Sequence, residues 1–219
     1  MRNWLNNNKI YFETFVPLLV SVAALVVALA SYNLADRQLE LSAIESEPNF
    51  YLKEMYLYDP TIKRAYETEL RIYNSGADIS NFKKQINSFV EVEHYNESGK
   101  VVDYISIIGY YGITYNSSDP SGELSLIKGE RNNDKYFETY FDFQNLKSDE
   151  NYGFVFLRLK HATKISYTNK LDEKGVSYFI DNLPVTNEKY LELMNNWNAS
   201  NMVDIDDLSV RHIKTILTN

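Results

Sequence analysis

The sequence predicts a mainly β domain, an antiparallel sandwich-like fold, that follows one N-terminal transmembrane α-helix and ends in two short C-terminal helices. An uncharged apolar run, FVPLLVSVAALVVALA, fills residues 15–30. Beyond it, short segments alternate apolar and polar residues, and after Pro184 the spacing becomes helical. We therefore divide the chain into an N-terminal tail at 1–9, a transmembrane helix at 10–35, a juxtamembrane helical stalk at 36–47, a β-rich soluble domain at 48–183 and C-terminal helices at 184–219.

The transmembrane helix is predicted from length and charge. Residues 10–35 are enough to cross the roughly 30 Å hydrocarbon core, and Glu13 is the only ionised residue among them. An amphipathic stretch follows directly, which favours an uncleaved anchor over a signal peptide. The positive-inside count favours an external soluble domain, because Arg2 and Lys9 precede the helix and Arg37 alone follows it before Lys53. That margin is one residue, so both orientations stay open.

The β-rich domain is predicted from about eight short strands separated by polar turns, the pattern of an antiparallel sandwich. The NESGK turn at 96–100 predicts a hairpin between its flanking strands. Gly109 and Gly112 indicate a bulge or a close backbone approach. The predicted strands are Phe50–Tyr58, Tyr66–Asn74, Gln85–Tyr95, Val101–Tyr115, Glu123–Lys128, Lys135–Phe143, Gly153–Lys164, Ile165–Thr168 and Val176–Ile180.

Two helices are predicted in the tail. Thr186–Trp197 opens with a threonine cap and has apolar residues at helical spacing. Asp204–Leu217 has acidic residues in its first turn and His212 and Lys214 near its end, as the helix dipole favours.

The composition argues against general nucleic-acid binding and against the common catalytic and metal sites. A formal charge of -8 and a pI near 5.0 disfavour sequence-independent nucleic-acid binding over the whole surface. The chain has no cysteine and three histidines, and it contains no phosphate-binding glycine loop, zinc-ligand spacing or nucleophile elbow. We therefore assign no catalytic residue, no metal ligand and no cofactor, and we do not expect an enzyme.

One face of the transmembrane helix carries small and polar residues at alternating spacings of three and four. We call this face the seam; its residues are Thr14, Pro17, Ser21, Ala24, Ala28, Ser31, Ala35, Gln38 and Ser42. Seams of small residues let membrane helices approach closely. Three interpretations stay open: association without conduction, a narrow pore with Glu13 at its mouth as a cation-favouring charge, and an accidental register.

Basic residues predict a second site, on the soluble domain. Period-2 alternation places Arg158, Lys160 and Lys164 on one face of their strand, and Val155, Leu157 and Leu159 on the other. Lys83 and Lys84 form another basic pair. Such a stripe fits a phosphate-bearing ligand, a nucleotide or oligonucleotide. An ordinary solvated strand face is the alternative.

The apolar helix, the short stalk ADRQLELSAIESEPNF and the β-rich domain with LRIYNSGADISNF resemble, in layout, single-pass membrane effectors of bacterial anti-phage defence. These include the DNA-gated channel effectors of Hailong systems. The resemblance implies a homo-oligomer in the bacterial inner membrane. It also implies a cytoplasmic sensor domain that binds a nucleotide or oligonucleotide made by a partner enzyme. The competing class is a non-conducting, membrane-anchored binding or assembly module that faces the cell exterior.

Overall fold

A computed structural model describes residues 8–9, 13, 15–96, 99–149, 154–197 and 202–218. The chain divides into two compact units whose boundary lies between Ser46 and Glu47. Thr14, which belongs to the predicted seam, lies outside the described residues.

The first unit contains helix α1, Val16–Ser46, which is 31 residues long and so about 46 Å from end to end. Of the helices that the structure describes, it is the one that is long and apolar enough to cross a membrane. Every residue from Val16 to Glu45 is exposed, although most of the first two-thirds are Leu, Val and Ala. A helix that is apolar on all sides and unburied is typical of a membrane span. The predicted N-terminal helix is therefore confirmed, and it continues without a break through the predicted stalk.

The second unit is mainly β, as predicted. Its strands form a four-stranded sheet in the order β1-β2-β6-β5 and a six-stranded sheet in the order β10-β4-β3-β7-β8-β9. All neighbours are antiparallel except the parallel pair β10 and β4. The strands are β1 Phe50–Asp59, β2 Arg64–Asn74, β3 Ser80–Asn96, β4 Gly99–Ile108, β5 Ile113–Asn116, β6 Gly122–Lys128, β7 Val155–Thr168, β8 Lys174–Ile180, β9 Leu183–Val185 and β10 Met202–Asp204.

The two sheets bury their apolar faces against each other. Leu70 and Ile72 of β2 and Ile127 of β6 lie in one core cluster with Ile165 of β7 and Phe179 of β8. Leu70, Ile72 and Ile165 have no exposed surface. Period-2 alternation accounts for this core, because alternate side chains of each strand point to the same face of its sheet.

Two strand predictions change in length. The segment Val101–Tyr115 is not one strand, because the chain turns at Gly109, whose φ is +80°, and β4 and β5 join different sheets. A Cβ at Gly109 would lie 3.3 Å from an Asp204 carboxylate oxygen, so the close approach predicted there is present. Conversely, the sequence predicts two strands, Gly153–Lys164 and Ile165–Thr168, whereas the structure has one strand, β7, from Val155 to Thr168; Gly153 lies outside the described residues.

The predicted strand Lys135–Phe143 is wrong. This segment is helical, within α2, Asn132–Asp149. Its aromatic residues suggested a strand, but Tyr136, Tyr140 and Phe143 follow helical spacing and pack into one core cluster. Tertiary packing of that face outweighs the β propensity of the aromatic residues.

The C-terminal segment is only partly helical. Helix α3, Asn187–Met194, begins after the predicted Thr186 cap, whose Oγ1 accepts a bond from the backbone N–H of Lys189 at 3.4 Å. The second predicted helix, Asp204–Leu217, is shorter: Asp204 ends β10, and helix α4 spans Val210–Leu217. Asp204 and Asp206 instead form a turn, in which the backbone N–H of Asp206 donates to Asp204 Oδ1 at 3.0 Å.

Candidate functional site

Two polar regions lie on opposite faces of the six-stranded sheet. The outer groove lies between that sheet and α3, has a volume of about 590 Å³ and is lined by Arg158, Lys160, Glu91, Glu93 and their neighbours. The inner cavity has a volume of about 190 Å³ and is lined by residues of both sheets and of α2. The predicted basic residues divide between these two faces.

The outer groove contains the alternate face of β7 that the sequence predicted to be polar. Lys160 and Arg158 lie opposite Phe89 and Glu91 of β3 in the strand register. Beside them, Phe89 is buried with Tyr190 and Leu193 of α3. The helix thus covers part of this face and forms one wall of the groove.

The charges of the outer groove are largely matched. Arg158 Nη1 donates to Glu91 Oε1 at 3.1 Å and to Glu93 Oε2 at 2.9 Å. Lys160 Nζ lies 2.7 Å from Asp181 Oδ2, and Lys100 Nζ lies 3.0 Å from Glu93 Oε2. The bond from Lys100, and then Arg158, hold the pKa of Glu93 below its ordinary value. The groove is lined by four basic and three acidic side chains, so it is not a strongly cationic surface.

Lys83 and Lys164 are placed differently from Arg158. Lys83 is exposed opposite Ser166, and half-buried Lys164 lies opposite Gln85, so both occupy the same outer face of the sheet. Within the described ranges, neither lysine has a carboxylate at ion-pair distance. Of the five predicted ligand-binding residues, these two keep an unmatched charge on the outer face.

Lys84 lies on the inner face instead, because successive side chains of a strand point to opposite faces of the sheet. Its Nζ donates to Asn116 Oδ1 and to Ser125 Oγ, which belong to β5 and β6 of the opposite sheet. Burial lowers the pKa of Lys84 to about 8. These contacts make Lys84 a link between the two sheets.

On α1, the described seam residues fall on one side of a single continuous helix. At about 100° per residue, Pro17 to Gln38 of the seam lie within an arc of about 100°. Ser21 Oγ donates to the backbone carbonyl of Pro17 at 2.8 Å, so this hydroxyl is bonded within its own helix. Glu13 Oε1 lies 3.5 Å from Lys9 Nζ, and both side chains are exposed.

No protein-family model and no curated protein matches this chain.

The inner cavity lies where β1, β2 and β7 meet α2. Glu54 and Tyr56 come from β1 and Thr68 from β2, while His161 is on β7. Four aromatic rings form much of its wall: Tyr56, Tyr110, Tyr136 and Phe137. Leu159, Asn133 and Asp181 complete it.

Glu54 is the centre of the polar contacts in the inner cavity. Tyr56 Oη donates to its Oε2 at 3.0 Å, and Tyr111 Oη donates to its Oε1 at 3.3 Å. His161 Nε2 lies 4.0 Å from Oε1, beyond hydrogen-bond distance. In the part of the chain that the structure describes, no lysine or arginine lies within ion-pair distance of Glu54.

His161 is almost completely enclosed, with 6% of its side chain exposed. Its Nδ1 shares a 2.9 Å hydrogen bond with Ser88 Oγ, and its backbone N–H donates to Asp181 Oδ1 at 2.9 Å. Burial lowers the pKa of this imidazole, which keeps it neutral at neutral pH. Partial burial, and then the adjacent Glu54 carboxylate, raise the pKa of Tyr56 to about 12, so the hydroxyl of this 60% exposed residue stays protonated and donates to Glu54.

No pattern in the sequence indicates the inner cavity. Glu54 and Tyr56 lie in a strand of ordinary alternation, and His161 has an unremarkable place in another. They come together through the pairing of distant strands and through α2, which the sequence reading placed in a sheet. Among the described residues, no group of three or more His, Asp or Glu side chains is arranged to hold a metal ion.

Proposed function

We propose that this protein is a homo-oligomeric membrane effector of bacterial immunity, an ion channel in the inner membrane gated by ligand binding to a cytoplasmic soluble domain. The observation that carries this proposal is the seam: a row of small and polar residues along one side of an exposed, continuous, apolar helix. The layout of the chain, which resembles membrane effectors of anti-phage defence, supplies the biological context.

The seam supports self-association for a physical reason. Lipid tails are as apolar as leucine, so membrane helices associate through close packing rather than through the hydrophobic effect. Ala24 and Ala28 allow two backbones to approach along this side, whereas Leu25, Val26 and Leu29 cover other sides with bulk. Several copies with the seam towards a common axis would place Ser21 and Ser31 along a narrow pore.

Gating requires a ligand that binds the open and closed arrangements with different affinity. The nucleotide or oligonucleotide hypothesis is supported by Lys83 and Lys164, whose charges face solvent without a carboxylate partner among the described residues. Phosphate groups are favourable partners for such unmatched ammonium groups. Arg158 and Lys160 support it less, because Glu91, Glu93 and Asp181 already bind them.

Ion flux from proteoliposomes tests conduction, measured with and without a single-stranded oligonucleotide or ATP. We expect a potassium flux in the wild type that one of these additions changes. Ala28→Leu should abolish it by holding the helices apart. Ala23→Leu is the matched control, because the same change is made about 140° around the same helix. Absence of flux under all conditions, or equal loss in both variants, contradicts the proposal.

Binding of a fluorescently labelled single-stranded oligonucleotide to the full-length protein tests the ligand. The double variant Lys83→Gln with Lys164→Gln should weaken binding by about tenfold or more, since it removes two phosphate partners. Lys170→Gln is the control, because its exposed ammonium lies beside Asp78. Equal binding by all three proteins would remove the outer face as the oligonucleotide site.

The second candidate is a non-conducting, membrane-anchored binding or assembly module. The positive-inside count and the matched charges of the outer groove favour it. Protease treatment of intact spheroplasts separates the two candidates. Cleavage of the β domain would place it outside the cell and contradict cytoplasmic sensing, whereas protection until lysis fits the effector.

A further inference from the structure

The inner cavity has the chemistry of a cation site, independently of the proposed channel. Glu54 supplies a carboxylate that accepts two tyrosine hydroxyls and has no lysine or arginine partner in the described residues. The charge of Asp181, the other acidic residue of the wall, is matched by Lys160 at 2.7 Å. The cavity thus holds one uncompensated negative charge.

A second observation also points to a ligand. The His161 side chain is 94% buried and lines the cavity, yet within the described part of the chain Nε2 has no hydrogen bond. Among the described residues, this nitrogen is not one of the unpartnered polar atoms sealed inside the core, so it keeps accessible surface 4.0 Å from Glu54 Oε1, where a bound group can reach it. Because burial lowers the pKa of His161, the imidazole does not supply a positive charge to balance Glu54.

The walls restrict the kind of cation. Tyr56, Tyr110, Tyr136 and Phe137 present four aromatic rings to one cavity, and ring faces attract alkylated ammonium ions through cation–π interactions. A volume of about 190 Å³ is smaller than an ordinary drug-sized pocket, so only a compact ligand fits. A strongly hydrated metal ion would find one unpaired carboxylate, because Asp181 is bound by Lys160, and no group of three His, Asp or Glu side chains among the described residues is arranged to hold it.

We propose that the inner cavity binds a small alkylated ammonium cation, with Glu54 as its counter-charge and the four rings as its walls. The same chemistry is presented by a free solute such as choline and by the headgroup of phosphatidylcholine. Both sources are recognised through the trimethylammonium group.

Calorimetric titration of the full-length protein, in nanodiscs of choline-free lipid, tests this directly. The probes are choline and 3,3-dimethyl-1-butanol, which has the same shape without the charge. Choline should bind saturably, one per chain, and the neutral analogue at least about tenfold more weakly. If choline does not bind saturably, or if the two probes bind equally well, the wild-type titration alone overturns the proposal.

Variants then locate the site. Glu54→Gln removes the charge at nearly constant volume and should weaken choline binding by about tenfold or more. Glu123→Gln is the matched control, because Glu123 also accepts a tyrosine hydroxyl, from Tyr73 at 3.0 Å, but lies outside the cavity. Unchanged affinity in Glu54→Gln overturns the assignment. Repeating the wild-type titration in phosphatidylcholine nanodiscs distinguishes the two sources. If the cavity binds the lipid headgroup, the apparent affinity for added choline should fall, because the headgroup competes. If it binds only the free solute, the affinity should not change.

Discussion

The outer groove and the inner cavity differ in how their charges are compensated, although β7 contributes to both. In the outer groove, Arg158 and Lys160 have carboxylates within 3.1 Å. In the inner cavity, Glu54 receives only neutral hydroxyl donors. The comparison shows that a charged stripe in one strand does not by itself indicate a ligand site. A charged stripe indicates a ligand site only where the neighbouring strands do not supply the opposite charge.

The largest expected loss of stability comes from a change in α2, the helix that forms one wall of the inner cavity. Asn132, at the start of α2, has no exposed surface; its Oδ1 accepts from the Thr68 N–H at 2.8 Å, and its Nδ2 donates to the carbonyls of Thr68 and Tyr110 at 3.1 and 2.9 Å. Asn132→Ala leaves these backbone groups unpaired, so the free energy of unfolding should fall by roughly 3 kcal/mol. Urea unfolding of the full-length protein in mild detergent measures it.

Asn187→Ala, an exposed asparagine at the start of α3, is the control, with an expected change within about 0.5 kcal/mol. If both alanine variants unfold at the same urea concentration, Asn132 does not hold α2 in place. That result would contradict the expectation that the wall of the inner cavity contributes more to stability than the outer groove does.

An intermediate effect is expected from pH. Because burial lowers the pKa of His161 below 6.5, the unfolded chain takes up a proton there that the folded protein does not. Stability should therefore fall as pH drops below about 6.5, until the folded-state pKa is reached. His161→Gln should flatten this part of the curve. Thermal unfolding between about pH 7.5 and pH 5.5 measures it.

His94→Gln serves as the control for that experiment, since His94 is half-buried beside Asp103 at 3.1 Å. The wild-type slope should survive this change. A slope that persists in His161→Gln and disappears in His94→Gln would contradict the assignment of the pH dependence to the inner cavity.

The smallest loss of stability is expected from a change in the outer groove. Arg158 is 52% exposed, so water and salt screen its charge. Its carboxylate partners are buried, but without Arg158, Glu93 keeps Lys100 and Glu91 keeps the Tyr104 hydroxyl. Arg158→Met should lower the melting temperature far less than Asn132→Ala does, and added salt should reduce the difference further. Lys170→Met is the control on another exposed pair. A loss as large as that of Asn132→Ala would mean that the groove, and not the cavity wall, is the critical polar region.

Much of the fold could be predicted from sequence. The helix at α1 and most strands were predictable because hydrophobic run length and period-2 alternation are local signals. The helix α2 was not, since its aromatic residues fit both a strand and a helix, and only the packing of Tyr136, Tyr140 and Phe143 in one core cluster distinguishes the two. The polar face of β7 was predicted, but its carboxylate partners on β3 depend on a register that one strand does not reveal.

The inner cavity was beyond sequence reasoning for the same reason. Glu54, Thr68 and His161 are separated by long stretches of chain, and each has the appearance of an ordinary strand residue. The seam was visible because its spacing lies within one helix. What the seam does depends on other copies of the chain, so it stays a prediction.

The subunit number of the full-length protein in nanodiscs or mild detergent tests channel formation; native mass spectrometry measures it beside the fragment that starts at Pro48. We expect a defined oligomer of about four or more chains that forms only when α1 is present. A monomer or a simple dimer would contradict the channel and leave a membrane-anchored binding domain.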